Sequence, residues 1–298
     1  MTKVVRLAGY STSLGESPRW LMSEQRLAWV DIYVGTVYIR DHPAGVVRSI
    51  ELGEPVGCLA ETDVPGRYLC AVQSGLVVVG LDGYRKRIAE FSVPGHRLND
   101  GGCDPSGRFW VGSMSHGGTG PTGELFRLCS AGRLEPVEAG LTISNGLAWD
   151  IDRARMYHVD STTQRLDVFD WDPHSGTAAN RQPFFSFPAE QGSPDGIAVD
   201  SCGTVWVALW GGGCVIAVGA DGAPGRRIEL PTQYVTACAF GGEDLRTMFI
   251  TTATGDWPDF ALASDSDAGG VYSIRLPDPG VPATPFPLKP LSRESDLP

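Results

Sequence analysis

The run GRFWVGSM, residues 107–114, is one of six stretches of the same shape. The others are QRLAWVDI (25–32), GRYLCAVQ (66–73), ARMYHVDS (154–161), GTVWVALW (203–210) and LRTMFITT (245–252). Each follows a turn-forming or polar start with a short run rich in β-branched and aromatic residues, the pattern of a strand rather than a helix. Aligned at Leu27, Tyr68, Phe109, Met156, Val205 and Met248, the copies lie 41, 41, 47, 49 and 43 residues apart. A four-stranded propeller blade with its turns consumes about 40–50 residues. Six copies therefore predict an all-β, six-bladed β-propeller with four antiparallel strands per blade.

Working outward, a second strand follows each copy, as in TVYIRDHPAG, GLVVVGLDG and GELFRLCSAG, most of them ending in a Gly-, Asp- or Pro-containing turn. A polar, alternating third run comes next, such as VVRSIEL from Val46, KRIAEFS from Lys86 and RRIEL from Arg226, and reads as the half-exposed outer strand. The sixth repeat lacks such a run after Leu276, where PDPGVPATPFPLKP is too proline-rich to donate ladder hydrogen bonds. The N-terminal KVVRLA is expected to supply that strand and close the ring. Residues 1–277 are accordingly read as a single propeller and 278–298 as a loosely held, Pro-rich C-terminal tail.

Composition narrows the partners. With 24 Lys and Arg against 35 Asp and Glu the net charge is -11, which repels phosphate backbones and anionic lipid, so neither nucleic acid nor membrane is an expected partner. Seven cysteines without a C-x-x-C pair read as reduced thiols. The N-terminus carries no apolar core of signal-peptide length, and a cytoplasmic location is expected.

Ahead of each repeat lies the innermost strand, whose side chains converge on the central channel. These stretches read LGESPRW, PVGCLAE, HRLNDGGCD, ISNGLAWD, SPDGIAVD and YVTACAF. Glu16, Asn99, Asn145 and Asp195 stand 11, 10, 11 and 10 residues before their aligned repeat positions, nearly one structural slot in four blades. Taken singly, Asn145-Gly146 and Asp195-Gly196 are ordinary turn dipeptides; their equal placement across repeats is what points to a site. Two carboxylates in a narrow channel repel unless a cation lies between them. Glu16, Asp195 and the amide oxygen of Asn145 suit one hard or borderline divalent ion, Ca²⁺, Mn²⁺, Fe²⁺, Mg²⁺ or Zn²⁺, and the slot has no histidine of the kind a catalytic zinc usually takes. Arg97 shares a strand face with Asn99, either as a surface cation paired with an acid or as a donor fork for a substrate oxygen. Asp100 reads as structural. His96 and His116 receive no role, although His116 lies in a Gly-rich 115–123 loop long enough to reach over the opening.

This ordered set, through LGESPRW, RLND, GRFWVGSM, SNGLAWD, PDGIAVD, ACAFGG and AGGVYSI, resembles the SMP-30/gluconolactonase/LRE family from about Leu14 to Leu276. The resemblance implies a six-bladed propeller. It places the family's metal-binding residues on Glu16, Asn145 and Asp195, and its substrate-contacting residues on Arg97 and Asn99. It implies metal-dependent opening of a sugar lactone to its aldonic acid, with Asp195 also accepting the proton of the attacking water and a small-molecule lactone as partner. Where the family's pattern has a further acidic substrate contact, this chain has Gly117, within GSMSHGG. Two other readings stand beside it. One is an esterase or phosphoesterase of the paraoxonase or diisopropyl fluorophosphatase type, which a wider apolar mouth built by Trp210, Trp257 and Phe260 would favour. The other is a non-catalytic propeller that binds a small molecule, a protein or calcium.

Overall fold

The computed structural model describes residues 3–7, 10–255 and 266–288. Six four-stranded antiparallel sheets succeed one another along the chain. Their first strands are Gly15–Leu21, Val56–Glu61, His96–Cys103, Ser144–Asp150, Ser193–Val199 and Val235–Gly241. Each of these touches the next, and the last touches the first, so the sheets close into the six-bladed ring that the repeats predict. The sixth blade takes its outer strand from the N-terminal run, with Val5 opposite Ser273 and Arg6 opposite Tyr272.

The repeated runs are the second strands, and their lack of polar alternation has a direct cause. Tyr68–Val72 and Phe109–Met114 are buried on both faces because each sheet is sandwiched between two neighbours. The outer strand Val47–Glu51 is exposed at Arg48, Ser49 and Glu51 and half-buried at Val47 and Ile50. Apolar packing between blades continues around the ring; Trp20 of the first blade, for instance, stacks on Phe249 of the sixth with ring centroids 5.6 Å apart.

At the far end of the inner strands, buried aspartates hold the turns. Asp104 accepts from the backbone N–H of Ser106 and Arg108, from Trp110 Nε1 at 3.2 Å and from Arg108 NH1 at 3.0 Å. Asp200 repeats the pattern with Cys202, Thr204 and Trp206 Nε1, and Asp150 with Arg153. Burying these charges is tolerable because donors surround them.

Residues 278–288 are not the loose tail expected from their prolines. They form an extended strap beneath the same end of the channel. Val281 N donates to Val199 O and Gly280 N to Leu245 O on one side of the ring. On the other side Phe286 exchanges backbone bonds with Glu61 and Asp63 and buries its ring against Phe109. Proline suits such a strap, since an extended segment tied at its two ends needs few of its own N–H groups. Residues 281–284 and the channel wall, including Arg19, Trp149, Ile197 and Cys238, line an open pocket of about 130 Å³.

All seven cysteines are free thiols. Among the described residues no helix is long and apolar enough to cross a membrane.

Candidate functional site

Each inner strand breaks register with its partner near the opposite end of the channel from the strap. The breaks fall between Glu16 and Arg19, Val56 and Cys58, Leu98 and Gly101, Ser144 and Leu147, Pro194 and Ile197, and Val235 and Ala237. A bulge frees residues from the ladder and re-aims their side chains. Asn99, Asn145 and Asp195 lie within these breaks, and Glu16 borders one. The glycine of Asn145-Gly146 answers a close approach rather than a turn: a Cβ on Gly146 would stand 2.5 Å from the Asp195 carbonyl oxygen. Neighbouring inner strands can thus approach closely enough to bring their side chains to one mouth.

There the side chains form a directed chain of hydrogen bonds. Arg97 NH1 donates to Asn99 Oδ1 at 2.5 Å. Asn99 Nδ2 donates to Asn145 Oδ1 at 2.6 Å and to Ser144 O at 2.9 Å. Asn145 Nδ2 then donates to Ser161 Oγ at 2.8 Å. Arg97 is 3% exposed, with its guanidinium 5.6 Å from the centre of the Tyr33 ring. This disposes of the surface-cation alternative.

The carboxylates of this mouth contrast with those of the far end. Glu16 Oε2 accepts from Ser17 N at 2.7 Å. Burial and the nearby Asp100 carboxylate push its pKa up to about 8. Asp195 is raised well above the carboxylate range by burial and then by the charge of Glu16, and its Oδ1 is buried without a hydrogen-bond partner. Asp100, read from sequence as structural, is drawn into the same cluster: it is buried, its pKa is raised by desolvation, and Arg19 lies 3.8 Å from its Oδ1. Arg19 also donates to Gly101 O at 2.6 Å.

The donor set fits a hard divalent cation. A partnerless buried carboxylate oxygen, a second carboxylate that repels it and an amide oxygen with one lone pair uncommitted are the ligands such an ion takes. Among the described residues no group of three or more His, Cys, Asp or Glu side chains is placed to hold a metal, so the amide of Asn145 is needed to complete the set.

The remaining candidates separate. His96 is bonded to Pro94 O and Thr122 Oγ1, and His116 N donates to Gly95 O. His158, buried and held by Ser144 Oγ, has its pKa lowered to about 3 by desolvation and stays neutral. Trp210 packs on Tyr234 with centroids 5.0 Å apart, at the edge of the mouth where its strand pairs with Ser193. Trp257 and Phe260 lie outside the described residues. Ser161 and Tyr33 were not singled out by the spacing of the inner strands. Both follow the end of a second strand, which antiparallel pairing returns to the start of the first; that rule applied to ARMYHVDS and QRLAWVDI would have found them.

Residues 14–254 match the family model described as the SMP-30/Gluconolactonase/LRE-like region. The chain is 36% identical over 267 residues to a pentonolactonase of Haloferax volcanii, covering 89% of this chain and 90% of the relative. It is also 36% identical over 271 residues to a 6-deoxy-6-sulfogluconolactonase of Pseudomonas putida, covering 90% and 92%. The crystal structure of regucalcin from Agrobacterium tumefaciens, described as a calcium-binding protein, superposes with a TM-score of 0.90 at 25% identity over 96% of this chain and 98% of that one.

Proposed function

Because this chain belongs to the SMP-30/gluconolactonase/LRE-like family, we propose that it is a metal-dependent hydrolase opening a sugar lactone to its aldonic acid, with Glu16, Asn145 and Asp195 as cation ligands and Arg97 and Asn99 as substrate contacts. The two lactonases similar to it support the substrate class. The observation that carries the reading is the partnerless, buried Oδ1 of Asp195 beside Glu16, at the mouth where Asn99 and Asn145 meet.

A divalent cation bound here would polarise the lactone carbonyl and stabilise the negative charge that builds on it. The protein's own groups do the rest. Arg97, locked by Asn99 and packed on Tyr33, directs its remaining donors at a substrate oxygen. Asn99 has committed both amide hydrogens, so what it offers a sugar hydroxyl is the second lone pair of Oδ1. With one Asp195 oxygen on the cation, the other takes the proton of the attacking water, and that proton passes to the ring oxygen as the ester C–O bond breaks. Trp210 and Tyr234 flank the opening with apolar surface that limits access of bulk water.

The test is turnover of a panel of aldonolactones, aryl esters and phosphotriesters by chelated protein and by protein with Ca²⁺, Mn²⁺, Fe²⁺, Mg²⁺ or Zn²⁺ restored. Lactone hydrolysis that is lost on chelation and regained with an ion is expected. Preference for esters or phosphotriesters, or lactone turnover indifferent to chelation, overturns the proposal.

A further inference from the structure

The chain of hydrogen bonds at the mouth has a fixed direction, and the direction is set by chemistry. Arginine carries donors only, so Asn99 must turn Oδ1 towards Arg97 and Nδ2 towards Asn145. Asn145 must then meet that donor with Oδ1, which leaves its NH₂ facing Ser161 Oγ at 2.8 Å. Ser161 is itself 7% exposed and firmly held. Its N–H donates to Ile143 O, and the preceding Asp160 fastens its loop to the start of the inner strand by accepting from Thr142 N and Ile143 N.

We infer that Ser161 is a positioning residue for the cation site: its hydroxyl oxygen holds the Asn145 amide with oxygen, rather than NH₂, turned to the ion. The inference rests on the proposed cation reading of this mouth. Without the hydroxyl the buried NH₂ loses its acceptor, and the amide loses the second anchor that holds its oxygen in place for the ion. Residues that orient a metal ligand are typically worth about 10–100-fold in affinity.

Calorimetric titration of the chelated protein with Ca²⁺ and with Mn²⁺ tests this. Ser161→Ala is expected to weaken binding about 10–100-fold, while Ser161→Thr, which keeps Oγ, stays within about threefold of the parent. In an Asn145→Asp background the same Ser161→Ala change should cost less than about threefold, because a carboxylate has no NH₂ to leave without an acceptor. Equal loss in both backgrounds marks a merely structural role and overturns the inference, as does no loss in either. If the unsubstituted protein binds neither ion, the cation reading fails and the inference with it. Thermal unfolding of the chelated variants checks the fold; should Ser161→Ala not fold, Ser161→Gly removes the same hydroxyl and is judged by the same outcomes.

Discussion

Both ends of the channel carry buried carboxylates, and the ends differ in what surrounds them. At the strap end, Asp104, Asp150 and Asp200 are bonded by backbone N–H groups, with an indole or a guanidinium completing their shells. At the open end, Glu16 has one backbone donor, Asp195 keeps an oxygen with none, and each lies in the field of another carboxylate. The same residue type thus does two jobs, and hydrogen-bond bookkeeping separates them. A saturated carboxylate holds the fold; an unsaturated one is held by the fold, and in the proposed function it awaits a positive charge.

Exchanging the side-chain chemistry at each end probes the contrast, and the largest effect falls on turnover. Asp195→Asn should reduce lactone turnover at saturating substrate by about 10³-fold or more, since it removes both a ligand charge and the proton acceptor. It should leave the melting temperature of the chelated protein unchanged or raised, because the repulsion with Glu16 disappears. At the other end the signature reverses. Asp104→Ala takes the acceptor from the Ser106 and Arg108 backbone N–H groups and from the Trp110 indole, and should cost about 1–3 kcal/mol for each donor left unpaired in urea unfolding, with the turnover of the folded fraction intact.

How far this contrast is legible without coordinates depends on the residue. The ring follows from the second strands, whose two-sided burial leaves an unbroken apolar signature at a regular spacing. That Glu16, Asn99, Asn145 and Asp195 share one mouth is legible because four equivalent strands carry them at nearly equal offsets. Asp100 is not, because strand alternation turns it away from Asn99 and the break between Leu98 and Gly101 cancels that alternation. Ser161 escapes notice because it lies just past the end of the second strand, outside the inner strand that carries the other residues. The strap escapes because proline content describes the ladder bonds a segment lacks and says nothing of a single anchor such as Phe286, 4% exposed.

A smaller effect sharpens the roles within the open end. Arg97→Lys keeps the charge but loses the planar fork; kcat/KM for a lactone should fall about tenfold, equivalent to about 1.4 kcal/mol, with cation affinity unchanged in calorimetry. The smallest effect is on pH dependence. Glu16 is raised in the folded state, so between the unfolded carboxylate range and about pH 8 the folded protein binds more protons than the unfolded chain. The chelated protein should therefore lose stability as pH rises from 5 to 8. Glu16→Gln should flatten that slope, a difference of about 2–4 °C in Tm if about 1 kcal/mol is involved. Scanning calorimetry of both proteins across that range reads it, and a parent as flat as the variant would remove Glu16 from the unsaturated set.

The convergence of Glu16, Asn145 and Asp195 on one positive charge is tested most directly by anomalous diffraction from crystals grown with Mn²⁺. One strong peak at the open mouth is predicted, with an oxygen of each of the three side chains at bonding distance, about 2.0–2.4 Å. A mouth without a peak at saturating Mn²⁺, or an ion bound by other residues, would contradict the account.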